Sequence, residues 1–178
     1  HDFIPEAVRN GASCVVISKD KTAVPGNRKP GNLIAVADTI SALGSLAYYH
    51  RKRFAIPIIC VTGSNGKTTT KEMLAAILSA KYRLLKNEGT QNNIIGLSLN
   101  ILNLKKHHEI AVFELGTNHF GEIKALTRIA APSMGVITNI GQAHLEFFNN
   151  TQGVLREKLD LIRELSFPRI AITNVDDG

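Results

Sequence analysis

No stretch of this chain approaches the eighteen or so consecutive apolar residues of a membrane span, so no transmembrane helix is expected, although 44% of the residues are hydrophobic. Cysteine is scarce. Cys14 and Cys60 lie far apart without CxxC spacing, which excludes a disulfide framework or a cysteine metal cluster and reads as two reduced, buried small hydrophobes of a cytosolic protein. Internal repeats and low-complexity segments are missing. Aromatic residues make up 6%, and none stands within the one dense basic cluster, His50-Arg51-Lys52-Arg53. That removes the stacking platform a nucleic-acid binder would want; the cluster reads as a solvated helix end, and the net charge of +6 suits phosphorylated small molecules equally well. No nucleic-acid partner is expected. The chain opens at His1-Asp2-Phe3 without Met or secretory leader, and is expected to be a piece of a longer protein.

What is present is a regular alternation over 178 residues, enough for one domain and part of a second. Pro5 to Asn10 reads as a short helix, Ala12 to Ser18 as a buried strand, and Lys19 to Asn32 as loop. Residues 1–37 therefore form the tail of one domain and 38–178 the body of the next. Asp38 caps a helix running to Tyr49. Apolar, β-rich runs follow at Ile56–Val61, Arg83–Leu85, Ile110–Leu115, Met134–Thr138 and Arg169–Thr173. Helical patterns separate them at Lys67–Ala80, Ile94–Leu104, Gly121–Ala130 and Thr151–Leu165. The fold class is α/β, a mostly parallel sheet with helices on both faces. Its ligands belong at the carboxyl ends of the strands.

The strongest local signal sits at the first of those ends. Val61-Thr62-Gly63-Ser64-Asn65-Gly66-Lys67-Thr68-Thr69-Thr70 joins a strand to a helix. Glycines fold such a loop so that its amides face one concavity at the positive end of the helix; Lys67 reaches terminal phosphates and the Thr68 hydroxyl reaches Mg²⁺. A strict Walker pattern wants glycine at position 61, where this chain has valine, so the match is to the shorter G-x-x-G-K-T.

Three further residues stand at that edge. Ile110-Ala111-Val112-Phe113 runs into Glu114, a carboxylate on a buried strand that needs either a metal or an ion-pair partner. His144 falls in the loop Thr138 to Glu146, where a lone histidine also fits a plain surface residue. On the last helix, at about 100° per residue, Val154, Leu155, Leu159, Leu161, Ile162 and Leu165 share one arc, with Arg156, Glu157, Asp160, Arg163 and Glu164 opposite. Lys158 falls inside the apolar arc, so its ammonium either snorkels out or is engaged.

Together TGSNGKTTTKEM (62–73), GTQNNIIG (89–96), ELGTNHFGEI (114–123), ITNIGQAHLE (137–146), the HDFI start and the helix carrying Lys158 resemble the Mur ligase family, cytoplasmic bacterial enzymes that build the peptide of cell-wall precursors. The resemblance implies a P-loop-type central domain, preceded by a remnant of a small α/β N-terminal domain that binds a UDP-sugar. It implies an ATP site at Gly63, Ser64, Asn65, Gly66, Lys67, Thr68 and Thr69, with Asn174 near the adenine. One Mg²⁺ would be held by Thr68 and Glu114 and a second by His144. Lys158 would be a CO₂-derived carbamate that helps position metal, and Thr90-Gln91-Asn92-Asn93 would contact the sugar peptide. Lys67, Lys158, His144 and Glu114 would then be catalytic. The GTQNN and NHFGEI pieces imply that UDP-MurNAc-tripeptide and D-alanyl-D-alanine are joined through an acyl phosphate, by a monomer in the cytoplasm. The same residues leave room for another Mur-type or folylpolyglutamate synthase-like ligase, or for a non-catalytic nucleotide-binding module.

Overall fold

A computed structural model describes residues 2–20, 32–141, 145–148 and 150–176. The chain divides into two compact units, residues 1–43 and 44–178. The first contains helix α1 (Ile4–Arg9), started by Pro5 at a position where the missing N–H costs nothing, and strands β1 (Cys14–Ser18) and β2 (Asn32–Val36). The two strands pair in parallel, from Cys14 opposite Asn32 to Ser18 opposite Val36. Sequence reading has no strand at β2: its five residues follow a proline- and glycine-bearing stretch and show no alternation. Cys14 corrects another expectation. It is exposed, because it opens a strand of a two-stranded sheet, whereas Cys60 is buried and burial pushes its thiol pKa well up.

Helix α2 (Thr39–Arg51) starts where expected, with the Asp38 carboxylate accepting from the amides of Ile40 (3.2 Å) and Ser41 (3.0 Å). The second unit continues through β3 (Ile58–Thr62), α3 (Lys67–Ser79), β4 (Leu84–Lys86), α4 (Ile94–Leu102) and β5 (Ile110–Glu114). It then runs through α5 (Glu122–Ala130), β6 (Met134–Ile137), the short α6 (Leu145–Phe148), α7 (Thr151–Arg163) and β7 (Ile170–Thr173). Sequence reading has loop where α6 stands; four residues are too few to show a helical period. The strands form one sheet in the order β4-β5-β3-β6-β7, every pairing parallel.

Period-two burial sorts the central strands onto two faces. Ile58, Cys60, Ala111 and Phe113 pack with Ala47 of α2, Leu97 and Ile101 of α4, Ile123 and Leu126 of α5 and Leu161 of α7. Ile59, Val61, Ile110, Val112 and Val136 face the other way, onto Leu74 and Leu78 of α3. Val61 is therefore a core residue of β3, fully buried, and explains why the phosphate loop is of the shorter form. Among the described residues no helix is long and apolar enough to cross a membrane.

One buried cation ties two helix ends together. Arg51, 8% exposed, donates to the carbonyls of Ala130 (2.9 Å) and Ile56 (3.0 Å). Truncation strands those acceptors in the interior. Arg51→Leu is expected to lower the unfolding free energy by about 2–3 kcal/mol, read as a fall in the urea midpoint at unchanged slope; an unaltered midpoint would mean water replaces the guanidinium.

Candidate active site

The loop between β3 and α3 is held from both sides. Gly63 lies so close to β6's end that a Cβ there would come within 1.9 Å of Thr138 Oγ1, so only glycine fits. Gly66 takes φ +75° as it opens α3, a left-handed turn that favours glycine. The Ser64 amide donates to the Asn139 carbonyl (3.0 Å), the Asn65 amide to Asn139 Oδ1 (2.8 Å), and the Gly141 amide to Ser64 Oγ (2.8 Å). Thr138 Oγ1 donates back to the Asn65 carbonyl at 2.6 Å. With those amides committed, the first turn of α3 supplies the remaining N–H groups for an anion. Lys67 Nζ folds over the loop onto the carbonyls of Gly63 (2.9 Å) and Ser64 (3.2 Å).

Glu114, 2% exposed, ends β5 directly across from this loop. Its Oε2 accepts from Thr68 Oγ1 (2.7 Å) and its Oε1 from Asn92 Nδ2 (2.8 Å). Asn87 grips its backbone, accepting from the Glu114 amide (2.9 Å) and donating to its carbonyl (3.2 Å). The fully buried Lys71 in turn donates to the Asn87 carbonyl (2.9 Å). Among the described residues the Glu114 carboxylate has Thr68 and Asn92 as partners and no cation. A buried carboxylate whose only partners are a hydroxyl and an amide keeps uncompensated negative charge beside hard oxygen donors, and Mg²⁺ fits that set. Among the described residues no three His, Cys, Asp or Glu side chains converge as a cage. His144 lies outside the described residues.

Lys158, 4% exposed, stands on the buried side of α7 and does not snorkel to bulk water. It lines a cleft of about 200 Å³ together with Gly63, Lys67, Asn92 and Thr117. Burial pulls its pKa down from the ordinary 10.5 to about 8; the nearby Lys67 adds to the drop and Glu157 opposes it. Two lysines facing one cleft make it a receptor for anions. Glu157 corrects the helix assignment: it is 2% exposed rather than solvent-facing. Its spacing, three after Val154 and four before Leu161, was the available signal.

The Thr90–Asn93 segment is mostly occupied with structure. The Gln91 Oε1 accepts from Asn100 Nδ2 (2.8 Å), Asn92 holds Glu114, and Asn93 Oδ1 caps α4 through the Gly96 amide (2.9 Å). Thr90 is exposed. Asn174, just past β7, is also exposed, and its Oδ1 accepts from the Asp176 amide at 3.1 Å. Sequence reasoning passed over Thr138, Asn139, Asn87 and Lys71, which act through contacts between loops far apart in the chain.

A glycine loop entering a lysine–threonine helix at the centre of a parallel sheet, with a carboxylate on the neighbouring strand touching that threonine, defines a P-loop nucleotide-binding domain. The Mur ligase middle domain model matches residues 61–178, and the chain belongs to that family. It is similar to the UDP-N-acetylmuramoyl-tripeptide–D-alanyl-D-alanine ligases of Bacillus subtilis (40% identical over 93% of this chain and 35% of that protein) and Rickettsia prowazekii (37% over 100% and 39%). Among solved structures, MurF ligase from Thermotoga maritima in complex with ADP superposes with a TM-score of 0.88 at 37% identity, covering 99% of this chain and 40% of that one. The chain thus spans about two fifths of the length of these relatives.

The lowered Lys158 pKa has a pH signature. Below about 8 the folded protein carries a buried ammonium at a cost, above 10.5 neither state is charged, so wild-type stability recovers as pH rises between those values. In bicarbonate-free buffer Lys158→Met is expected to be more stable at pH 7 by on the order of 2 kcal/mol, an advantage that shrinks toward pH 10.5. A wild-type-minus-variant difference that is flat with pH would contradict the burial of a free amine.

Proposed function

We propose that this domain is the nucleotide-binding core of an ATP-dependent ligase that joins D-alanyl-D-alanine to UDP-MurNAc-tripeptide in peptidoglycan precursor synthesis. The observation that carries the reading is the convergence of Lys67, Lys158 and the Thr68–Glu114 pair on one cleft. Two anionic reactants, a nucleotide triphosphate and a carboxylate, need positive charge there, which Lys67 brings directly and which the oxygens of Thr68, Glu114 and a carbamylated Lys158 would bring by holding metal. The choice of substrates is supported by the names of the relatives matching across this chain, over those of another Mur-type or folylpolyglutamate synthase-like ligase. A non-catalytic module would have no use for a lysine buried in the cleft.

In this reading the terminal carboxylate of the tripeptide attacks the γ-phosphorus, the bond to the ADP oxygen breaks, and an acyl phosphate forms. The amine of D-alanyl-D-alanine then attacks the acyl carbon, phosphate leaves and the amine gives up a proton. Lys67 Nζ exchanges the Gly63 and Ser64 carbonyls for phosphate oxygens, while the first-turn amides of α3 orient the nucleotide and Asn174 lies near its adenine. Thr68 and Glu114 would hold one Mg²⁺ and His144 a second, the metal supplying charge neutralisation on the phosphates. Thr90 and the Gln91–Asn93 segment would contact the sugar peptide.

Lys158 serves as a carbamate. A pKa near 8 leaves roughly two orders of magnitude more neutral amine at pH 7 than an ordinary lysine has, and only the neutral amine adds CO₂. The resulting anion removes the lysine–lysine repulsion and would serve as one of the residues that hold the metal. Residues 1–37 are read as the end of a UDP-sugar-binding domain, and the whole protein as a cytoplasmic bacterial monomer.

Two substitutions in the full-length enzyme test the assignment. Lys67→Ala removes one preorganised charge from the transferring phosphoryl, worth on the order of 3 kcal/mol, so kcat should fall at least roughly a hundredfold with folding intact. Near-normal turnover would sink the phosphate-loop assignment. Lys158→Ala should nearly abolish turnover, with partial recovery from short carboxylic acids that fill the vacated space as substitute anions. The wild type should lose activity when bicarbonate is stripped at mildly acidic pH. A fully active Lys158→Ala enzyme decides against the carbamate.

A further inference from the structure

Glu157 buries a carboxylate without a cation partner among the described residues, beside the residue that enters the cleft. Its Oε2 accepts from the Gly121 amide (2.7 Å) and its Oε1 from the Ile123 amide (2.8 Å), with Thr117 Oγ1 at 3.3 Å. These groups open α5. Gly121 is its N-cap, at φ +86°, and has no side chain to cap the helix itself. Glu157 therefore supplies, from another helix, the acceptors that the Gly121 and Ile123 amides lack locally, and adds its charge to that of Glu122 in the first turn. A buried acidic side chain 36 residues away in the chain is an expensive means of capping when a serine at the N-cap would suffice. The position has a further consequence that a local cap would not have.

Gly116, Thr117, Asn118 and Glu122 form one wall of the cleft that Lys158 also lines. Apolar burial of Val154, Leu161 and Leu165 holds α7 against the sheet but is non-directional. Two short hydrogen bonds from one carboxylate to two fixed amides are directional. Because Glu157 and Lys158 are consecutive, fixing the first fixes the rotational phase of α7 at the second. The wall and the lysine are thereby set relative to each other by a single side chain.

We infer that Glu157 is a positioning residue, which locks α7 to the 116–122 wall so that Lys158 is presented into the cleft. The inference rests on the reading of Lys158 as a working carbamate. The test uses the full-length enzyme with Glu157→Ala and Glu157→Gln, the latter keeping shape and one acceptor oxygen but losing the charge. Amide hydrogen exchange, ¹³C-bicarbonate NMR of the lysine carbamate, and steady-state kinetics are measured well below the unfolding temperature. Faster exchange at Gly121 and Ile123 is expected in Glu157→Ala, with weakened carbamate signal. Its kcat should fall roughly tenfold or more, the scale on which groups that orient a reacting residue act, at little changed KM for ATP, because Glu157 does not touch the phosphate loop. Glu157→Gln should recover part of kcat.

Should Glu157→Ala fail to fold, the same three measurements on Glu157→Gln decide, with intermediate losses expected. A variant that exchanges faster at both amides yet keeps wild-type carbamate signal and kcat overturns the inference, leaving Glu157 as a helix cap only. Unchanged exchange overturns it as well. A wild type without any carbamate signal, active regardless of bicarbonate, would instead remove the reading of Lys158 on which the inference stands.

Discussion

Parallel pairing of β3 on both of its edges dictates where everything chemical in this domain has to be. Val61 lies opposite Glu114 on one side and Val136 on the other, and Thr62 lies opposite Ile137. Three strands consequently end within a residue of one another, and the chain turns over three times at one edge. The loops at 63–66, 115–117 and 138–141 have no choice but to meet there. A one-residue slip of β5 would turn Glu114 from the side of Thr68 to the opposite face. The two-sided apolar core, with α3 alone on one face of the central strands, makes that slip costly.

Charge is handled differently at the two edges of the sheet. At the amino edge, Lys52, Lys81 and Lys105 follow the carboxyl ends of α2, α3 and α4, and Arg51 grips the last carbonyl of α5. Cations there complement the partial negative charge of helix termini, so much of the net positive charge needs no polyanionic partner. At the carboxyl edge the buried carboxylates Glu114 and Glu157 are met mainly by backbone groups, hydroxyls and amides, whereas Lys71 pairs with Glu72 as well as with the Asn87 carbonyl. Neutral partners lower the cost of burial without cancelling the charge. Lys158 has no hydrogen-bonding partner among the described residues, and burial, with Lys67 nearby, lowers its pKa.

The legible part of this protein was whatever is written in consecutive residues. Among the described residues, apolar runs and their alternation with helical patterns located six of seven strands and every helix of nine residues or more, because burial imposes periods of two and 3.6. The phosphate loop, Glu114 at a strand end and Lys158 in an apolar arc were visible for the same reason. β2 was not, since its residues show no alternation and follow a proline- and glycine-bearing stretch, nor was α6, whose four residues are too few for a helical period to register. Glu157 escaped because it sits at the margin of the arc, where a polar residue normally faces water; a partner on another helix reversed that. Thr138, Asn139 and Asn87 escaped since each is meaningful only once the fold brings another loop to it.

Beyond Leu115 and Ile137 the apolar core stops, and with it the only force that could hold the loops by burial alone. What continues is a lattice of hydrogen bonds made by short amide and hydroxyl side chains, mostly to backbone: Asn139 and Thr138 on Asn65, Ser64 on Gly141, Asn87 on the Glu114 backbone and Asn92 on its carboxylate, Asn93 on Gly96. Each is worth only about 1 kcal/mol net, but each has a direction that packing lacks. Glu114 stands where two branches join, with Thr68 of the phosphate loop on one oxygen and Asn92 of the 89–93 segment on the other. Two loops separated in sequence are therefore referenced to one carboxylate. This is also why the recognisable motifs are so rich in Asn, Thr and Gly. Besides any contact with ligand, those residues are the scaffold that takes over where hydrophobic burial ends.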